Sequence, residues 1–525
     1  MKADKSLLAE VAALAGILAF GVSSIKTIFR EGIIPGWDNP PHLVCSYMTI
    51  QFLKSLRVLG WDPYNNFGWV FNQYYNPGAY MLVASVYYFF MGLIDVNSAY
   101  KIAFTLTYLL PGIGAYLLVK VASGNTPAAL LAALFNILVF PQESEWFDAG
   151  LRQMYVVGMW PQRLGIGLAL LALSAFLSAF KASKHRWVHM ASLAAVFTAL
   201  TLLSHPMTGI GLAASLTLIF LYQVLRLGIR SRKNSIKYML ARLLRTGAIY
   251  VVTGLTALGL VAFWIVPLLE TNEMYHSLPT IRWVLGSWAF INLLSSLGVV
   301  QVFLFIAALV FSVLTARGSS RRAACAVAAM SGILMWVVSF FAPNDGYIGL
   351  RMAYSSAAFF LAALLAEEPA PLLLASISSL LLLMATGPES YTFNVLWWRI
   401  DLSRILPFSK EYAYSKFAGL ARYLTLSLAA MGLGIPFRRV YDEVKTLKGT
   451  AAQAGYVTLG VVVLLASVYY LTPHVQSTDI YYPYSETLHF KLDTDFPMTE
   501  SMIRIMKWVE ANASRSTYIL SLIHI

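Results

Sequence analysis

The chain of 525 residues is 58% hydrophobic and only 12% charged, with a mean hydropathy of +0.66. A composition so apolar and so poor in charge excludes a water-soluble globule and reads as a polytopic membrane protein. The formal charge of +13 would admit nucleic acid only if the basic residues gathered apart from the apolar runs; they fall in the short loops between them, so no nucleic-acid partner is expected.

Leu7 to Phe29 is as long as a bilayer span and runs straight into a polar stretch, which reads as a retained first helix rather than a signal peptide. Further apolar runs lie near 79–94, 99–121, 127–141, 163–180, 187–204, 207–225, 246–269, 289–315, 323–342, 352–366, 370–386, 419–435 and 455–471. In lipid the backbone must satisfy its own hydrogen bonds, so these predict an all-α bundle of about thirteen transmembrane helices. The loop Arg226 to Arg245 carries seven basic residues and no acid, which places it in the cytoplasm together with the loops at Lys181 to Arg186, Arg317 to Arg322 and Phe437 to Gly449. Its charge suits anionic headgroups and topology rather than nucleic acid.

With the N-terminus cytoplasmic, residues 30–78 form the first outer loop. Three runs then follow before the acidic segment around Glu143, which belongs on the same outer face. One of the three is expected not to cross, and the short runs at 79–94 and 127–141 are the candidates, as tilted or re-entrant helices at the outer surface.

The first outer loop holds the densest set of polar residues. Asp38, in GWDNPPHL, stands where the first span leaves the membrane. It suits either a desolvated carboxylate acting as base or a cap on the helix that begins at the following prolines. His42 lies one helical turn later. From His42 to Leu59 the residues Leu43, Tyr47, Ile50, Leu53 and Leu56 recur at helical spacing, with Lys54 and Arg57 off that face, which predicts a helix lying in the interface. Turn-rich segments with Tyr and Trp anchors follow.

A second acidic group, Glu143, Glu145 and Asp148, offers oxygen ligands that could join Asp38 around a divalent cation such as magnesium or manganese. His205 sits at the outer end of a span. Arg351, Arg282 and Lys416 are cations on the outer face, against the topological trend, and suit a phosphate or pyrophosphate headgroup or the loops' own carboxylates. No P-loop, nucleophile elbow or zincin motif is present. The two cysteines, Cys45 and Cys325, have neither disulfide-framework nor zinc spacing. Residues 1–472 are read as the transmembrane domain. Residues 473–525, polar with one amphipathic helix near Thr499 to Ala511, are read as the opening of an outer soluble domain cut short.

Asp38 and His42 in D-x-x-x-H, GWDPYN from Gly60 to Asn65, YYNP from Tyr74 to Pro77, and SHPMTG from Ser204 to Gly209 form a pattern. It resembles the prokaryotic membrane proteins labelled 6-pyruvoyl-tetrahydropterin-synthase-related, within the GT-C superfamily of polyprenyl-phosphate-dependent glycosyltransferases. The resemblance implies a multi-pass prokaryotic cell-membrane enzyme. It would transfer a sugar from a polyprenyl-phosphate-linked donor to a glycan, lipid or protein acceptor on the extracytoplasmic face, with Asp38 as essential base or metal ligand. The WWDYG-type motif of oligosaccharyltransferases is not evident. The alternative is a non-catalytic or flippase-like protein handling lipid-linked envelope glycans.

Overall fold

The computed structural model describes residues 5–445, apart from 30–31, 35, 37, 63–68, 74, 139–149, 152, 184, 231–235, 272–298, 315, 317, 342–346, 388–391, 396–397 and 402–413. The expected C-terminal domain therefore lies outside the described residues. So does the apolar run at 455–471.

In chain order the helices are α1 (Lys5–Ser24), α2 (Asn39–Lys54), α3 (Gly78–Phe89), α4 (Val96–Ser123), α5 (Thr126–Ile137), α6 (Trp160–Lys181) and α7 (Arg186–Ser204). They continue as α8 (Pro206–Arg230), α9 (Ile236–Glu270), α10 (Val299–Leu314), α11 (Ser319–Phe341), α12 (Ile348–Leu365), α13 (Ala370–Ala385) and α14 (Phe417–Lys445). Two short antiparallel hairpins, β1–β2 (Gly60–Asp62 with Trp69–Phe71) and β3–β4 (Thr392–Val395 with Trp398–Asp401), are the strands among the described residues. Eight of the described helices are long and apolar enough to cross a bilayer, and five shorter apolar helices accompany them.

One face of the bundle is marked by basic side chains that cap helix ends. Arg245 donates to the carbonyls of Ala179 and Ala182 at the end of α6, Lys181 to Val121 near the end of α4, Arg322 to Ala316, and Arg226 to Glu367. Cations there meet the unpaired carbonyls and the negative end of the helix dipole. Lys120 pairs with Glu10 of α1 at 2.7 Å, and Asn125 donates to Gly434 of α14 at 2.8 Å. Of the loops expected to share a basic face, those at Lys181 to Arg186, Arg226 to Arg245 and Arg317 to Arg322 place their described cations on helix ends, while Phe437 to Gly449 lies partly outside the described residues.

On the opposite face the anomaly in the crossing count resolves. A Cβ on Gly78, at the start of α3, would lie 2.7 Å from the backbone of Leu203, so α3 begins against the far end of α7. Near its other end, Tyr88 donates to the Ile50 carbonyl of α2, and Asn97 just beyond donates to Gly32. Both ends of α3 lie on one face, so the run at 79–94 is the one that does not cross. The run at 127–141 is not an outer-surface helix. α5 starts on the basic face, capped by Asn125, and its last residue Ile137 packs against Gly112 midway along α4.

The core joins α4, α5, α6 and α14 through Arg163, which is 0% exposed. Its guanidinium donates to the carbonyls of Tyr108 (2.9 Å) and Ile137 (3.0 Å) and to the Tyr423 hydroxyl (2.9 Å), and lies 4.6 Å over the Tyr108 ring. Tyr108 in turn bonds Ser24 at the end of α1 at 3.2 Å. These bonds satisfy the carbonyls that end α5 inside an apolar domain, where an unpaired one costs about 1–3 kcal/mol.

The topology makes a direct prediction. In a cysteine-free background, Phe89→Cys and Asn97→Cys should both react with a membrane-impermeant maleimide from the same side, and Arg186→Cys from the opposite side. Labelling of Phe89→Cys from the side of Arg186→Cys would mean that α3 crosses.

Candidate functional site

The site is built where α2 meets the strap between α5 and α6. Gln153–Val157 forms a single π turn, and Gly158 then takes φ +89°, a left-handed conformation that favours glycine. The space around it is equally restrictive, because a Cβ on Gly158 would stand 2.7 Å from the Cβ of Asp38. Such a turn leaves carbonyls without helical partners, and α2 supplies them. Asn39 donates to Met154 (3.0 Å) and Tyr155 (2.8 Å) and accepts from the Tyr100 hydroxyl (3.0 Å). The Asp38 amide donates to the Val157 carbonyl at 3.2 Å.

His42 completes this seam. Its Nε2 is 3.0 Å from the Gly158 carbonyl, which can only accept, so Nε2 carries the proton and Nδ1 accepts from the Tyr80 hydroxyl at 2.8 Å. Burial holds the imidazole neutral, lowering its pKa to about 4 against the opposing hydrogen bond to Gly158. With both nitrogens engaged, the residue expected as the catalytic companion of Asp38 fastens the strap instead.

Asp38 itself is exposed at the N-cap of α2 and makes no side-chain cap hydrogen bond to that helix. Of the two roles its sequence position allowed, the capping bond is not formed. Its charge acts on Lys416, in the short 3-10 turn Tyr414–Lys416 before α14, and both residues stand against the Gly158–Met159 turn. Burial lowers the Lys416 ammonium to about 7, with Asp38 working in the opposite direction. Its Nζ lies 3.4 Å from the Met159 sulfur, and its carbonyl accepts from Gln162 at 3.3 Å. Lys416 is thereby fixed to the same strap as Asp38.

His205 caps α8: its Nδ1 accepts from the Thr208 amide at 3.2 Å and hydroxyl at 2.8 Å, leaving Nε2 as the donor. Burial first, and then the charge of Lys416, lower it to about 3. A Cβ on Gly165 of α6 would touch its Cβ at 2.9 Å. The structure thus gathers Asp38, Lys416 and His205 around residues 157–165. Arg351 is buried in the first turn of α12. Arg282, Glu143, Glu145 and Asp148 lie outside the described residues.

Among the described residues no group of three or more His, Cys, Asp or Glu side chains comes together, and three of the four expected cation ligands, Glu143, Glu145 and Asp148, lie outside them. Sequence reasoning missed Asn39, Gly158 and Arg163. Gly158 was signalled by its place two residues before the Trp-Pro that opens α6, and Arg163 by a charge inside an apolar run.

Solved structures of the Archaeoglobus fulgidus oligosaccharyltransferase are similar to this chain. The form tethered with an acceptor peptide containing the NVT sequon is 15% identical, with a TM-score of 0.50, and the match covers 94% of this chain and 58% of that one. The apo form is 13% identical at a TM-score of 0.48 (98% and 61% covered). The complex of this protein, AglB, with an inhibitory peptide and a dolichol-phosphate is 14% identical at 0.48 (98% and 61%). The chain spans about three fifths of that protein's length. No curated protein matches the sequence. The architecture is that of a multi-pass helical membrane protein that shares its fold with this oligosaccharyltransferase. Residues 72–353 match the model of the 6-pyruvoyl-tetrahydropterin synthase related domain, described as a membrane protein, and the chain belongs to that family.

The neutral, buried His42 and His205 set a pH dependence. Unfolded, they would bind protons near pH 6.5; folded, they resist to about 4 and about 3. Between these values the unfolded state holds more protons, so stability is full above about pH 6.5 and is lost as the pH falls toward 4, by about 3 kcal/mol for His42. The thermal midpoint, followed by tryptophan fluorescence, should drop over that window, and more shallowly in His42→Gln.

Proposed function

We propose that the protein is a membrane glycosyltransferase that moves a sugar from a polyprenyl-phosphate-linked donor to an acceptor on the face holding Asp38. The observation that carries this reading is an exposed carboxylate at the N-cap of α2 and a half-buried lysine before α14, both set against the Gly158–Met159 turn of the strap. The fold shared with an enzyme solved with a tethered acceptor peptide supports the same class of chemistry.

In this reading Asp38 takes the proton of the acceptor hydroxyl as its oxygen attacks the anomeric carbon. The bond from that carbon to the phosphate oxygen breaks, and prenyl phosphate leaves. Lys416, and the Nε2–H of His205, neutralise the phosphate charge that develops. His42 and Asn39 act as positioning residues, holding the strap and with it the spacing of Asp38 and Lys416. The face is extracytoplasmic if the basic face is cytoplasmic, as the positive-inside rule has it. A divalent cation would enter only through Glu143, Glu145 and Asp148, and no step here depends on one.

With purified protein in liposomes and a polyprenyl-phosphate-linked sugar, Asp38→Asn should lower transfer by about 100-fold or more, the usual worth of a general base. Transfer undiminished in Asp38→Asn would overturn the assignment. Lys416 makes a second prediction. Its ammonium is charged below about pH 7 and neutral above, so affinity for prenyl phosphate should fall as the pH rises through 7. In Lys416→Arg, which stays charged, the binding profile measured by calorimetry should be flat over that range.

A further inference from the structure

Two motifs of the sequence, YYNP and SHPMTG, meet through Asn76 and Ser204 at the break between α7 and α8. The His205 amide ends α7 on the Thr201 carbonyl at 2.8 Å, and Pro206, which has no N–H, opens α8. In a continuous helix the Ser204 carbonyl would accept from the Thr208 amide four residues on. That amide donates instead to Nδ1 of His205 at 3.2 Å, beside the Thr208 hydroxyl at 2.8 Å. A buried carbonyl thus loses its helical donor, and the first outer loop supplies another: the side-chain amide of Asn76, also buried, donates to Ser204.

Asn76 is held on both sides. A Cβ on Gly78 would stand 2.7 Å from the Leu203 carbonyl carbon and 2.8 Å from the Ser204 nitrogen, so the loop lies directly against the break. Gln73, buried three residues earlier, donates to the Thr271 hydroxyl at 2.8 Å and to the Pro267 carbonyl at 3.3 Å, at the end of α9.

We propose that Asn76 is the positioning residue of His205. By occupying the Ser204 carbonyl it leaves the Thr208 amide to the imidazole. That amide can only donate, so it holds Nδ1 as acceptor and the proton on Nε2, whereas the Thr208 hydroxyl alone could donate or accept. Without Asn76 the Thr208 amide is drawn back to the carbonyl, because a buried carbonyl left unpaired costs more than a ring nitrogen that keeps a hydroxyl. The ring then loses its orientation. What the Nε2–H does rests on the proposed function, where it meets the phosphate charge; the bond that fixes it can be read without catalysis.

The test uses the full chain in phosphatidylcholine nanodiscs with nitrogen-15-labelled histidine, the His205 signals being assigned by their loss in His205→Gln. In the unaltered protein near neutral pH, NMR should show Nδ1 unprotonated and Nε2 protonated. In Asn76→Leu, close in volume but without a donor, the Nδ1 signal should move and an Nδ1–H population should appear. For transfer from a polyprenyl-phosphate-linked sugar the same variant should lower kcat by about tenfold with KM unchanged, the effect of a misplaced group. It should add nothing in a His205→Gln background, whereas a general loss of stability would act there too. A protonated Nδ1 in the unaltered protein, or His205 signals unmoved in Asn76→Leu, would overturn the proposal. Signals that move while transfer is unchanged in both Asn76→Leu and His205→Gln would uphold the role of Asn76 and overturn the part given to His205 in transfer.

Discussion

Everything at the candidate site depends on one constraint: the strap that runs through the π turn Gln153–Val157 to Met159 must have the carbonyls its turn leaves over satisfied within a membrane protein. Asn39 and His42 do this from α2, and the amide of Asp38 adds a third bond. In lipid an unpaired carbonyl has no water to turn to. The strap therefore cannot settle elsewhere without breaking several bonds at once, and Asp38 is located as a by-product of that requirement.

The strap is fixed from below as well. Arg163 enters α6 three residues after Trp160 and ties the last carbonyl of α5 to α4 and α14. A guanidinium can do this because its five donors fan out in a plane, whereas an ammonium would reach fewer acceptors at the same depth. The start of α14 carries Lys416 immediately before it, so the helix that receives Arg163 through Tyr423 also delivers the ammonium opposite Asp38. Core packing and site geometry are two ends of one set of bonds.

His42 and His205 show how such a frame uses histidine. Each is held neutral with one nitrogen donating, His42 to the Gly158 carbonyl and His205 with its Nε2 left open beside Lys416. The same residue type gives a fastener in one place and an available donor in the other. The difference lies in what each Nδ1 accepts: a tyrosine hydroxyl buried in an aromatic cluster, or the first turn of a helix.

The sequence by itself determined that the chain is a helical, multi-pass membrane protein and which loops share its basic face. Apolar run length and the placement of Lys and Arg are local properties that bilayer physics reads directly. It also marked Asp38, His205 and Lys416 as polar groups at the edges of spans. It could not order them into roles, because the partner of each lies far along the chain: Gly158 for His42, Lys416 for Asp38 and His205. Spacing marked one apolar stripe on α2, of which Ile50 is buried and Tyr47 open, but it gave no sign that Asn39, His42, Ser46 and Thr49 would be enclosed. Hydrophobic periodicity follows apolar side chains alone, and here part of the interior against α2 is a strap of backbone carbonyls that Asn39 and His42 satisfy. Only the tertiary structure decides that, because only the fold brings residues 154–158 to the first outer helix.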